Sequence, residues 1–178
     1  MSSGHLSSMK TRFHIPLEDE VVLLRSTTEA DYEALYSAAS DREIWAQHNA
    51  HDRWKPEVFR VFFEEGLKND LGMFVIQSKM TGKILGSTRY YKYDAEGNCL
   101  RIGYTFFDRS VWGTGVNTKV KKLMLDRAFQ WVDRVFFDVY EKNFRSQKAL
   151  KKLGAVPGER TGDKVIFVLD RVEWEKIP

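Results

Sequence analysis

At 178 residues, with 43% hydrophobic and 13% aromatic content, the chain is long enough for one domain with a substantial core. Its net charge of +3 gives no reason to expect nucleic acid as a partner, and its single cysteine, Cys99, excludes a disulfide framework and fits a reducing, cytoplasmic setting. No stretch is apolar for long enough to span a bilayer, so no membrane role is expected, and the first residues lack the apolar core of a signal sequence.

Residues 1–12 open polar and Ser-rich and are set aside as a disordered leader or expression scar, leaving residues 13–178 as a single domain. Val21 to Arg25 reads as a first strand. Thr27 or Thr28 then caps a helix reaching Ala39, with Asp31 spaced for a capping box. Residues 40–55 read as irregular and hold Trp45, His48, His51 and Trp54. Pro56 opens a second helix with Val58, Phe59, Phe62 and Phe63 on its apolar face, ending near Asn69-Asp70. Three strands follow: Met73–Ser78, Ile84–Tyr93 and Cys99–Phe107. The turns between them are short and rich in turn residues, which implies an antiparallel meander. Cys99 reads as a small buried hydrophobe within that strand pattern. The aromatic run Tyr90-Tyr91-Lys92-Tyr93 reads as core, with a homodimer interface as the other use.

Beyond Gly113 and Gly115 the period becomes helical, with Val116, Val120, Leu123, Met124, Ala128 and Trp131 on one stripe. Arg134–Tyr140 is a nearly continuous apolar run, as a buried parallel strand requires. Asn143–Leu153 is a short helix stopped by Gly154, and Val156–Leu169 supplies a last pair of strands. The sum is a mixed α/β (α+β) fold, a mostly antiparallel sheet of about seven strands with one strand–helix–strand crossover.

The stretch Val111-Trp112-Gly113-Thr114-Gly115-Val116-Asn117-Thr118 carries the chemistry. A strand turning through glycines into a helix leaves backbone N–H groups converging at the positive end of the helix dipole, which suits a phosphate or pyrophosphate. A P-loop is excluded, because its glycines are separated by four residues and followed by Lys-Ser/Thr. A dinucleotide fingerprint is disfavoured. Thr118 stands at its third glycine site and a meander precedes the turn, although Asp138 falls near the ribose-binding distance. Lys142, Arg145, Lys148, Lys151 and Lys152 read as a solvated helix face, or as counter-charge for a phosphorylated ligand. By spacing alone Asn143 is a helix N-cap and Ser146 a benign first-turn residue.

Three motifs in order resemble the GNAT superfamily of N-acetyltransferases, nearest the branch of ribosomal-protein and N-terminal-alanine acetyltransferases. They are Arg101-Ile102-Gly103-Tyr104-Thr105-Phe106, Trp112-Gly113-Thr114-Gly115, and Asn143-Phe144-Arg145-Ser146 with the closing Leu153-Gly154-Ala155. The resemblance covers about residues 20–170. It implies helices on both faces of the sheet and acetyl-CoA as donor, held where the strands Leu100–Phe107 and Arg134–Tyr140 splay apart. By the same resemblance, backbone at Thr105, Phe106 and Phe107 holds the pantetheine arm. Trp112, Gly113, Thr114, Gly115, Val116 and Asn117 hold the pyrophosphate, and Asn143 and Ser146 flank the thiol end.

The chain departs from the family at four places, one of them Asn117, which stands where the family usually has alanine or glycine and whose neutral amide can still face a phosphate. Ser110 replaces the usual Gln or Arg, with Arg109 adjacent. Arg101 stands where many relatives carry glutamate, and Leu150 where many carry the tyrosine that protonates the leaving thiolate. Ser146 is then the expected proton donor. An α-amine, of unperturbed pKa about 8, needs less help from a base than a lysine, which favours a peptide N-terminus or a small amine of low pKa as acceptor. His48 and His51 lack a third ligand, so no metal is expected. The missing glutamate and tyrosine leave a non-catalytic acyl-CoA-binding or protein-interaction domain as the alternative.

Overall fold

The structure, a computed structural model, describes residues 3–178. One sheet of eight strands organises the molecule: β1 (Leu17–Glu18), β2 (Val22–Ser26), β3 (Phe74–Ser78), β4 (Ile84–Asp94), β5 (Cys99–Phe107), β6 (Arg134–Tyr140), β7 (Val156–Thr161) and β8 (Lys164–Asp170). Their spatial order is β1-β2-β3-β4-β5-β6-β8-β7, and every neighbouring pair is antiparallel except β5 with β6. The helices are α1 (Ser3–Phe13), α2 (Tyr32–Ala39), α3 (Pro56–Lys68), α4 (Val116–Ala128), α5 (Phe144–Lys152) and α6 (Arg171–Trp174).

The alternation of each strand sends side chains into two separate cores. One joins Leu24, Ile76, Tyr90, Leu100, Ile102 and Val135 to Val120, Met124 and Leu125 of α4. The other joins Val75, Ile84 and Phe106 to Leu35 and Ala39 of α2 and to Phe59, Phe62 and Phe63 of α3. With both faces covered, the first eight residues of β4 are all buried. Tyr90 is among them, its hydroxyl donating to the Met124 carbonyl at 2.7 Å, so this part of the aromatic run is core. Pro56 does open α3, and Asn69 closes it by donating its side-chain amide to the carbonyls of Gly72 and Tyr90.

The structure departs from the sequence expectations at five places. Residues 1–12 were set aside as a disordered leader, yet Ser3–Phe13 is helical. Met9 and Phe13 are buried in the first core, and the Phe13 ring lies 4.8 Å from that of Tyr90. Residues 1 and 2 of that leader lie outside the described residues. Thr28 begins a 3-10 turn (Glu29–Asp31) before α2, with Asp31 accepting from the Thr28 N–H at 2.8 Å. The segment 40–55 is partly ordered by a 3-10 turn at Arg42–Trp45, where the buried indole of Trp45 donates to the Ala39 carbonyl at 2.8 Å. Finally, α4 stops at Ala128, so Trp131 leaves the stripe and packs under the Arg12 guanidinium instead. Cys99, at the start of β5, is only half-buried.

Candidate acetyl-donor site

The parallel ladder between β5 and β6 is short. It pairs Cys99 with Arg134, Leu100 with Val135 and Arg101 with Phe136, and then stops. β6 continues fully paired to β8 as far as Tyr140, while β5 bends towards β4 through a bulge. Ser87 faces Phe106 and Arg89 faces Gly103, so Tyr104 and Thr105 share the single partner position of Thr88. Tyr104 takes a left-handed φ of 52°, a conformation that costs a non-glycine residue about 1–2 kcal/mol. Its ring packs 5.0 Å from that of Tyr91, and the guanidinium of Arg89 lies 4.4 Å from its centroid. The outcome is a wedge-shaped opening beside Ile102 to Phe107, whose backbone on that edge has no strand partner.

The glycine turn closes one end of this wedge. Gly113 and Gly115 have φ of +75° and +86°, and a Cβ on either would meet nothing within 4 Å, so the bare backbone faces open space. Among the described residues, no acceptor pairs with the N–H groups of Gly113, Gly115, Asn117 or Thr118. These groups converge at the N-terminus of α4, an anion cradle by geometry and dipole. The Asn117 carbonyl oxygen is buried without a partner, and a half-turn of that amide presents N–H instead.

The wedge and the cradle form one cleft of about 260 Å³. Thr105, Phe106, Phe107, Trp112, Gly113, Gly115, Asn117, Asn143 and Ser146 all line it, whereas Thr114 and Val116 do not. The Thr114 hydroxyl is turned onto the Val111 carbonyl at 2.6 Å, and the Val116 side chain is buried in the core. Phe106 points away to pack 5.3 Å from Trp45, leaving its backbone towards the cleft. Trp112 donates its indole N–H to the Phe107 carbonyl at 3.2 Å, and the Arg145 guanidinium covers its ring at 3.8 Å, so this indole packs within the protein. Arg145 also donates to the Ile44 carbonyl at 3.2 Å. Asn143 is the N-cap of α5, accepting from the Ser146 N–H at 3.1 Å, which leaves its NH₂ group available. The Ser146 hydroxyl makes no hydrogen bond among the described residues. Leu150, one helical turn further, is buried.

Ile44, Trp45, His48, Tyr104, Asp138 and Tyr140 also line the cleft. Burial lowers the pKa of His48 to about 4, assisted by the positive charges of Arg53, Lys164 and Arg145, so its imidazole is neutral near pH 7. Its Nδ1 accepts from the Ala50 N–H at 3.1 Å, while His51 is exposed. Among the described residues no group of three or more His, Cys, Asp or Glu side chains is arranged to hold a metal, and no helix is long and apolar enough to cross a membrane.

Two side chains were overlooked by the sequence reading as members of this site. Asp138, weighed only as a ribose ligand, brings a carboxylate to the cleft wall from β6. Its Oδ2 accepts from the Tyr91 hydroxyl at 3.2 Å and lies 3.3 Å from Arg101 Nε, while its Oδ1 is buried without a partner. Lys121 enters from α4, 7% exposed, its Nζ donating to the Thr105 hydroxyl at 2.7 Å. The only sequence signal for Lys121 is its place four residues after Asn117 and four before Leu125, on the buried face of an amphipathic helix.

Comparison with known proteins follows the same geometry. The family model for the acetyltransferase (GNAT) domain matches residues 22–156. Among solved structures, a GCN5-related N-acetyltransferase from Brucella melitensis superposes with a TM-score of 0.78 at 18% identity, covering 91% of this chain and 81% of its own. A GNAT-family acetyltransferase from Bacillus anthracis does so with a TM-score of 0.73 at 17% identity, covering 88% and 98%. The ribosomal-protein-S5-alanine acetyltransferase from Vibrio fischeri does so with a TM-score of 0.67 at 19% identity, covering 90% and 98%.

Proposed function

Because the chain belongs to the GNAT acetyltransferase family, we propose that it moves an acetyl group from acetyl-CoA to a primary amine by direct attack with both substrates bound. The acceptor in this reading is a protein N-terminal α-amine or a small-molecule amine, and the enzyme is cytoplasmic. The observation that carries it is the continuity of one cleft from the free N–H cradle at Gly113–Asn117, along the unpaired edge of β5, to Asp138 and Tyr104.

The residues present fit acetyl-CoA. The open glycine backbone and the turnable Asn117 amide suit a pyrophosphate, and the edge of β5 at Thr105 to Phe107 suits a chain of amides as an added strand would. When bound, acetyl-CoA supplies the activated acetyl group. A backbone N–H of β5 at the bulge, near Thr105, polarises the carbonyl oxygen. Asp138 Oδ1, buried and without a partner, accepts a hydrogen bond from the incoming amine and orients its lone pair. The Ser146 hydroxyl, at the first turn of α5 and unpaired, gives its proton to the departing sulfur as the C–S bond breaks, and is restored by the proton that the nitrogen sheds as the C–N bond forms. Asn143 fixes that turn through its cap.

A thiol-release assay tests the reading, using acetyl-CoA with N-terminal peptides, free amino acids, polyamines and aminoglycosides. Amine-dependent release is expected with at least one primary amine. Tight acetyl-CoA binding with no turnover on any amine would overturn it.

A further inference from the structure

Lys121 is a charged residue type held where no counter-charge reaches it. It is 7% exposed and forms no ion pair among the described residues. Its Nζ meets the Thr105 hydroxyl of β5 at 2.7 Å and lies 5.9 Å from the Phe137 ring of β6. Thr105 in turn is 2.9 Å from the Thr88 hydroxyl of β4. An ammonium carries three N–H donors, and only one is used here. Buried donors without acceptors are costly, and a methionine would fill the same space at no such cost. The unused donors belong to a residue that lines the cleft.

Position along α4 narrows what they meet. Lys121 is five residues beyond Val116, about 7 Å deeper at 1.5 Å per residue, which takes it past the phosphate cradle and under the splay of β5 and β6. A ligand running from the cradle along the β5 edge presents amide and thioester carbonyls at that depth. Resting on the acetyl-CoA reading above, we propose that Lys121 is a donor-binding residue whose free N–H groups hydrogen-bond the carbonyl oxygens of the acyl-pantetheine arm from the α4 side of the cleft.

The site also couples binding to protons. Burial pushes the Lys121 amine down to about 7, and no charged neighbour contributes to that shift: β5 presents Thr105 and β6 presents Phe137. Carbonyl acceptors favour the ammonium and raise its pKa, so occupation of the arm site takes up protons. Affinity for acetyl-CoA is then greatest below about pH 7 and declines as the pH rises above it.

Isothermal titration of the wild type and Lys121→Met with two probes, acetyl-CoA and adenosine 3′-phosphate 5′-diphosphate, separates the possibilities. The second probe keeps the nucleotide phosphates and lacks the arm. The variant is expected to lose tenfold or more in acetyl-CoA affinity and to keep its affinity for the nucleotide. Repeating the acetyl-CoA titration at pH 8 in two buffers of different ionisation heat should show proton uptake in the wild type and none in the variant. Equal acetyl-CoA affinity in both proteins overturns the proposal. So does a parallel loss of both probes, which would mark a structural role. If the wild type binds neither probe, the acetyl-CoA reading itself has failed, an outcome distinct from both.

Discussion

Replacing Lys121 by methionine is expected to make the protein more stable at neutral pH and to leave its stability nearly unchanged at pH 10. The amine is lowered from 10.5 to about 7 by burial alone. At about 1.36 kcal/mol per pKa unit, keeping it charged in the fold costs up to about 5 kcal/mol. Near pH 7, where about half the folded molecules have already shed the proton, the cost is about 4 kcal/mol. By pH 10 about a quarter of the unfolded chains have shed it too, and about 1 kcal/mol remains. Losing the hydrogen bond to Thr105 offsets about 1 kcal/mol at either pH. The net gain is therefore on the order of 3 kcal/mol at pH 7 and near zero at pH 10. The sign follows from linkage: between the two pKa values the unfolded chain holds more protons than the folded one, so wild-type stability climbs with pH and the variant lacks that climb. Urea unfolding of both proteins at pH 7, 8.5 and 10 measures it. A variant less stable than wild type at pH 7, or a stability difference that does not change with pH, refutes the claim that burial neutralises this amine.

Four further outcomes follow from the site. Gly113→Val places a β-branched residue at φ +75° in the cradle, and is expected to weaken acetyl-CoA binding at least tenfold in a titration, with about 1–2 kcal/mol of backbone strain although the Cβ itself meets no neighbour. Ser146→Ala should lower kcat by about 10²-fold or more without abolishing acetyl-CoA binding, and an unchanged kcat removes Ser146 as the proton donor. Asn143→Ala deletes the α5 cap and should lower stability by about 1 kcal/mol, read as a shift in the urea midpoint. His48→Asn should reduce the stability lost between pH 6.5 and 4. In that window the unfolded imidazole gains a proton that burial, Arg53, Lys164 and Arg145 deny the folded one; equal losses in both proteins would place His48 in water.

The sequence carried what is local. The glycines of the turn, the Asn143 cap, the Pro56 helix start and the short meander turns each act over a few residues, and the structure has each where the spacing implied. What it did not carry depends on distant partners. The bulge at Tyr104-Thr105 exists because β4 and β5 disagree in register, which neither strand declares alone. Asp138 enters the cleft only because β6 keeps its pairing with β8 while β5 departs. Lys121 stands in sequence between Lys119 and Lys122, and only the helix rotation set by Val120, Met124 and Leu125 turns it inward. The opening helix was missed for the same reason: MSSGHLSSM is polar by composition, and Met9 and Phe13 reveal their role only against Tyr90.

The three-pair ladder between β5 and β6 has a mechanical consequence. Among the described residues it is the only direct strand pairing between the five-stranded N-terminal part of the sheet and the β6-β8-β7 part, so the sheet has a seam. An arm-like ligand laid along β5 extends the hydrogen bonding across that seam. On the acetyl-CoA reading proposed above, donor binding would complete the sheet as much as fill a pocket, and the energy that holds the two parts in register would be shared with the energy that holds the ligand.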